Sequence, residues 1–338
     1  MGYRYPVRLV PLLALATLAC APRPGSAPGH GPPSGAPGWV SPLHRDHPLV
    51  GRILEVRATR WADGPALAAA VSRADLVLLG ETHDNADHHL LQAWLLGAIA
   101  SAGRRPAVAF EMLGTHQQAG LDAALARRPV SPDDVAAGVG WASSGWPAFD
   151  LYRPVFDAAL AADLPLVAAN LPRELAREVV RKGRDALPEA LRERLARDEP
   201  FPESEAAEIR KEMADSHCGE LPESLLDPLV LAQRARDAQM AERIEASASG
   251  RGAVLVAGSG HTRSDRGVPR HLARDVPSLG IVSVAFLEVS PGDEDPDDYA
   301  GAYGAAALPF DWVVFTPAAD RGDPCEKLRD AHHKGRSG

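Results

Sequence analysis

The sequence predicts an α/β fold: a doubly wound, mostly parallel sheet carrying a smaller all-helical insertion. Two observations point there. Short apolar runs without polar alternation recur at Leu76–Leu79, Pro106–Met112, Pro165–Asn170 and Ala253–Gly258, and segments of helical periodicity separate the first three. Strands buried on both faces read as continuous hydrophobic runs, and strand–helix alternation is the pattern of a parallel sheet. By contrast, Pro172–Ser249 holds no strand-like run, only charged amphipathic stretches at Arg173–Arg184, Glu203–Ser216 and Leu225–Ala246.

Taken in order, Arg52–Val56 reads as a first short strand and Gly64–Arg73 as a helix leading into Leu76–Leu79. Leu91, Trp94, Leu95 and Ala98 place a helix over His88–Ala102, closed by Gly103. Further helices are expected at Gln117–Arg127, Pro132–Val139 and Tyr152–Ala162, with Trp141–Trp146 as an aromatic loop. After the insertion the sheet resumes at Ala253–Gly258 and continues at Ile281–Val289 and Trp312–Phe315. The acidic run Gly292–Tyr299 reads as a solvated loop and the end beyond Leu328 as a frayed tail. The α/β domain is thus expected over 49–171 and 250–324, the insertion over 172–249 and a tail over 325–338.

The N-terminus is of another kind. Arg4 and Arg8 precede the apolar run Leu9–Ala19, which ends in Thr17-Leu18-Ala19-Cys20. A charged start, a short apolar core and a small residue before the cut make residues 1–19 a secretory signal. Cys20 in the next position points to a bacterial lipoprotein lipidated on that sulfur, although Thr17 stands where the usual lipobox has Leu. Residues 20–48, rich in Pro, Gly, Ser and Ala, are expected to be a disordered tether. Ala21 in place of an aspartate leans towards the outer membrane. Cys218 and Cys325 remain, and in an oxidising compartment they can pair. A net charge of −9 over 338 residues argues against a general nucleic-acid binder.

Three strand ends deliver chemistry. Glu81 and His83 follow Leu76–Gly80, Glu111 ends the second run, and His261 follows Gly258-Ser259-Gly260. Open parallel sheets bind ligands beyond the carboxyl ends of their strands. Two carboxylates and two imidazoles converging there are a plausible set for a divalent metal such as Zn, Mn or Fe, or for acid–base chemistry. No His-Glu-x-x-His motif accompanies them, and any one of these residues taken alone is more often simply solvated. His88 and His89, with Gln92, begin the following helix, where one imidazole can face the site and the other water. Tyr152 is by spacing a core or rim aromatic, or else an anionic oxygen donor to iron. Arg153 beside it can meet an anionic group or an ordinary ion-pair partner. Gln233 and Asp237, one turn apart, can reach the cleft, unless Arg234 and Arg236 mark a plain charged face.

Gly80-Glu81-Thr82-His83-Asp84 with His88-His89, Phe110-Glu111-Met112, Tyr152-Arg153-Pro154, Asn170-Leu171-Pro172, Gln233 with Asp237–Ala241, and Gly258–His261 with Gly267-Val268-Pro269 follow one another along the chain. Together they resemble the ChaN-like haem-binding lipoproteins of the haem-uptake/Tiki superfamily, over about Leu49 to Pro324. The resemblance implies haem as cofactor, iron uptake as the process, Tyr152 as the iron ligand with Arg153, His88, His89 and His261 nearby, and a homodimer formed around two stacked haems. The wider superfamily includes erythromycin-esterase-like and Tiki-type metal-dependent hydrolases, which implies Glu81, His83, Glu111 and His261 as an alternative catalytic set. A scaffold with neither activity is the third reading.

Overall fold

The computed structural model describes residues 31–322 and Cys325. The signal segment, Cys20 and the tail beyond Leu328 lie outside these residues. Eight strands form one sheet: β1 (Ile53–Glu55), β2 (Arg60–Ala62), β3 (Leu76–Glu81), β4 (Ala107–Gly114), β5 (Leu166–Asn170), β6 (Ala253–Gly258), β7 (Ile281–Glu288) and β8 (Trp312–Thr316). Their order is β2-β1-β8-β7-β3-β6-β4-β5. From β8 to β5 all pairs are parallel, while β1 runs antiparallel to both β8 and β2.

Each strand of the parallel part sends alternate residues to two apolar layers, as a period of two requires. Val77, Leu79, Val108, Phe110, Val254 and Val256 face one side. They meet α1 (Gly64–Arg73), α2 (Ala86–Ser101), α3 (Gln118–Leu125), α4 (Pro132–Gly138) and α5 (Phe149–Ala161), which contribute Leu67, Leu91, Leu95, Leu121, Val135 and Phe156 among others. Leu76, Leu78, Ala107, Ala109, Leu255 and Ala257 face the other side. The six residues of β3 are all buried, so the polar Glu81 at its end is carried into the interior by the strand itself.

Between β5 and β6 the chain is wholly helical: α6 (Arg173–Lys182), α7 (Glu189–Ala196), α8 (Glu203–Ser216) and α9 (Leu226–Ala248). The expected insertion boundary at residue 249 does not separate two units. The last two turns of α9 place Met240, Ala241, Ile244 and Ala248 on the sheet beneath β3, β4 and β6, together with Val268 and Leu272 of α10 (Val268–Asp275). A parallel β5-to-β6 crossover needs a helix on the sheet, and α9 serves as that helix while its first half, with Ala232 and Ala235, packs on α6 and α7.

Two further expectations are corrected. The run 292–299 is solvent-facing as expected over Gly292–Asp295, but it is not loop throughout: Pro296–Tyr303 forms a 3-10 helix capped by Asp295, and Tyr299 is buried against Phe315 at 5.2 Å. Residues 39–45 are not a free tether either. Ser41 is 3% exposed, and Leu43 bridges to Ala318 beside the end of β8. Composition there forbids a helix or strand, but a few well-placed backbone hydrogen bonds hold the segment all the same. Cys218, just beyond α8, and Cys325 are joined by a disulfide.

Candidate functional site

The carboxyl ends of β3, β4 and β6 lie side by side, and their last residues build a connected polar cluster. Gly80 makes the closeness possible: a Cβ there would stand 2.3 Å from Thr262 Oγ1 and 3.0 Å from Ser259 Cα. Glu81 Oε1 accepts hydrogen bonds from the Tyr152 hydroxyl at 2.8 Å and from His83 Nδ1 at 2.9 Å. Its Oε2 accepts from Gln92 Nε2 at 2.6 Å, with His89 Nε2 at 3.4 Å. Burial favours the neutral acid, but His89 and His83 outweigh it and hold Glu81 ionised, below the usual carboxylate range.

Glu111 is the second hub. Its Oε2 accepts from the backbone N–H of Gly258 at 2.7 Å, and its Oε1 takes the guanidinium of Arg236. His261 Nε2 lies 3.4 Å from Oε1 and His83 Nε2 3.8 Å from Oε2. Burial again opposes charge, and His261, His83 and Arg236 overcome it, leaving Glu111 ionised well below its ordinary value. His261 Nδ1 pairs with Asp237 Oδ1 at 2.6 Å, and the Gln233 amide lies 3.1 Å from its Nε2. Burial lowers the His261 pKa, yet Glu111 and Asp237 together push it up to about 9. His83 is likewise raised: burial lowers it, and Glu111 and Glu81 raise it by more.

The four residues expected at the sheet edge are therefore brought together, joined by Gln233 and Asp237 one turn apart on α9. Among the described residues no group of three or more His, Cys, Asp or Glu is arranged to hold a metal ion. The Glu81 oxygens are taken up by a phenol, an imidazole and an amide, and those of Glu111 by a backbone N–H and a guanidinium. Arg236, for which a plain charged face was the alternative left open by the sequence, reaches Glu111 instead. Its neighbours Gln233 and Asp237 share its side of the helix, and that spacing was the available signal. Asn170 completes the edge, accepting from Arg236 Nε at 3.2 Å and donating to the Glu111 carbonyl at 2.8 Å.

The expected haem contacts fare differently from one another. Tyr152 is fully buried, its ring 4.1 Å from His89 and 5.0 Å from Trp141. Burial and the Glu81 charge raise its phenol far above the ordinary range, so it is a hydrogen-bond donor and not a phenolate. No other described phenol is free: the Tyr299 hydroxyl bonds to Ser290 and Asp293, and that of Tyr303 to Ser259. His88 is fully buried, its Nδ1 accepting from the Thr82 N–H at 2.8 Å and its Nε2 bonded to Thr316 Oγ1 at 2.9 Å. Burial pushes its pKa down to about 3, which makes it a neutral structural strut and corrects its assignment as a cofactor contact. His89 is also sealed behind Tyr152. His83 alone of these imidazoles reaches the surface, with 32% of its side chain exposed and its ring 4.9 Å from Trp146.

Trp146 leads outward. With Trp141, Pro147 and Phe149 it lines an open groove of about 720 Å³ between α4 and the start of α5, within the range of small-ligand sites. Arg153 stands on its rim but is not a free cation, since Asp133 and Asp150 hold it at 2.7 and 2.9 Å.

A family model described as haem-binding uptake, Tiki superfamily, ChaN matches residues 67–272. The chain belongs to this family. Among solved structures, that of cofacial heme binding to ChaN of Campylobacter jejuni is similar over 78% of this chain and 95% of that one, at 22% identity and a TM-score of 0.61. An erythromycin esterase mutant in its open conformation matches over 77% of this chain and 95% of that one, at 14% identity and a TM-score of 0.41. No match was found among curated proteins. At these identities the structural likeness is one of fold; family membership rests on the family model, and with it comes a link to haem binding and uptake.

Proposed function

We propose that this ChaN/Tiki family member is an envelope lipoprotein, held by lipid on Cys20, that takes haem against the aromatic groove beside His83. The observation that carries the reading is the continuity of groove and site: Trp146 lines the one and touches His83 of the other. A flat, largely apolar ring suits walls of Trp141, Trp146, Pro147 and Phe149. Haem, when bound, would supply an iron able to take a ligand from the protein. Tyr152 does not fit that iron, because its hydroxyl is sealed and committed to Glu81. His83 is the better candidate: its Nδ1 is paired with a carboxylate, as in metal-bound histidines, and its Nε2, 3.8 Å from Glu111 Oε2, would turn from that carboxylate to the iron. An open groove would cover one face of a porphyrin, so a second copy of the chain closing over the other face would make a haem-dependent dimer.

Hemin titration followed by absorption spectroscopy tests this. Saturable uptake with a histidine-type spectrum, lost in His83→Ala and retained in Tyr152→Phe, is the expected result. Absence of uptake, or uptake indifferent to His83, overturns it. Sedimentation with and without hemin tests the dimer.

A second reading has a specific observation in its favour. His83 and His261 are each backed by a carboxylate and both turn Nε2 towards Glu111, an arrangement able to move protons as in hydrolysis. Proton transfer is most efficient when the group's pKa lies near the working pH. Glu81 and Glu111 are held far below it, which leaves the imidazoles to carry this chemistry. Hydrolysis of ester or amide substrates by the hemin-free protein, lost in His261→Ala, would establish it.

A further inference from the structure

The turn that carries His83 runs from Thr82 to Asn85 and opens α2, with Asn85 as its N-cap. The N-terminal segment lies across it. The backbone N–H of Val40 donates to Asp87 Oδ1 at 2.7 Å and that of Ser41 to Asp87 Oδ2 at 2.9 Å. The Ser41 hydroxyl donates to Asn85 Oδ1 at 2.9 Å, the same oxygen that accepts the Asp87 N–H. Asp87 and Asn85 are 1% and 0% exposed, so without the strap a buried carboxylate would lose both of its backbone donors. Arg45 ties the strap into a ring, its guanidinium donating to the carbonyls of Val40 and Ser41 at 2.8 Å each. On the other flank, Asn85 Nδ2 donates to Glu288 at 2.7 Å and to the Pro317 carbonyl at 3.0 Å.

We infer that Asp87 and the strap Val40–Ser41 are positioning elements for His83, so that the chain segment leading from Cys20 into the domain sets the rigidity of the site's exposed imidazole. A buried carboxylate keeps its place only while donors surround it. Docking of the strap is therefore coupled to the conformation of the first turn of α2, one of the supports of the His83 turn beside Glu81 and the ion pair of Asp84 with Arg321, itself bound to Glu288 of β7. A pull on the segment that follows Cys20 would pass through the packed residues Ser34, Ala36 and Trp39 to the strap, and through Asp87 reach His83. The inference stands whether the ligand of His83 is haem or a hydrolytic substrate.

Amide hydrogen exchange and imidazole ¹⁵N NMR of the full chain test it together. In the native protein the Val40 and Ser41 amides should exchange slowly. Asp87→Asn removes one acceptor oxygen and should speed their exchange by about tenfold or more, and the His83 ring signals should shift or broaden with it. Arg45→Ala loosens the strap from its exposed end without touching α2, so it separates positioning from damage to the helix. It should move the His83 signals in the same direction by a smaller amount. Fast exchange of Val40 and Ser41 in the native protein would overturn the inference. So would a strap freed in both variants with the His83 signals unmoved.

Discussion

Replacing Tyr152 with phenylalanine separates a structural donor from an iron ligand. The ring keeps its place between His89 and Trp141, so no cavity opens and the change is confined to one hydroxyl. That hydroxyl is one of two strong donors to Glu81 Oε1, at 2.8 Å, and its partner is a buried charge. Hydrogen bonds to charged groups contribute about 1.5–3 kcal/mol. At roughly 2–4 °C per kcal/mol for large domains, the melting temperature should fall by about 3–12 °C. Hemin affinity should stay within about threefold of the native value, since His83 keeps its Glu81 partner. Differential scanning calorimetry and a hemin titration on the same preparation decide the matter. An unchanged melting temperature with lost haem uptake would refute the argument and return Tyr152 to the role that the family resemblance implied.

Alkaline pH should weaken the fold through His261. Its pKa of about 9 in the folded protein stands above the ordinary 6.5, so its contribution is complete below pH 6.5 and is lost as pH rises through 9. Thermal melts between pH 6.5 and 9.5 should show a decline that His261→Gln flattens. Gly258→Ala is a steric test of the site's mouth: its φ of −57° suits any residue, but the new Cβ would stand 3.0 Å from His83 Nε2. Hemin uptake should fall while chemical denaturation shows a loss of no more than about 1–3 kcal/mol. Reducing the Cys218–Cys325 bridge, which spans 107 residues, should cost about 2–4 kcal/mol in the same assay. Equal midpoints with and without reductant would deny the bridge a role in stability.

The parallel sheet was legible because its strands are buried on both faces and so appear as unbroken apolar runs; β3, β4, β5 and β6 fall within a residue or two of their expected limits, except that β4 runs on to Gly114. β2 was not legible. Arg60–Ala62 is a short edge strand of mixed character, formed only because β1 offers it a partner. The cluster was legible as a list of residues leaving strand ends, but not as a division of labour. Nothing in the spacing of Tyr152, His83 and Glu81 says which of them faces water. That depends on how α5 stacks over β3 and β4, with Phe156 on Phe110 at 4.5 Å, a tertiary contact that local pattern does not encode. The same holds for Asp87, an ordinary first-turn acid by sequence whose partners come from a segment 46 positions away.

Saturation of donors and acceptors is what distinguishes the residues at this sheet edge. Glu81 and Glu111 are each surrounded, and a group whose valences are filled from within holds others in place and does not itself meet a ligand. Asp237, Gln92 and Tyr152 stand one step further back, each serving one of these hubs or an imidazole. Followed outward, the hydrogen bonds reach His83, whose ring is oriented by Glu81, approached by Glu111 and partly open to solvent against Trp146, and Arg236, whose side chain is 25% exposed. The cluster therefore brings the constraint of three strands and three helices, α2, α5 and α9, to these two side chains. If His83 meets the ligand as proposed, the chemistry there can change by altering the groove wall alone, because the imidazole is held from behind by Glu81 and the wall stands in front of it.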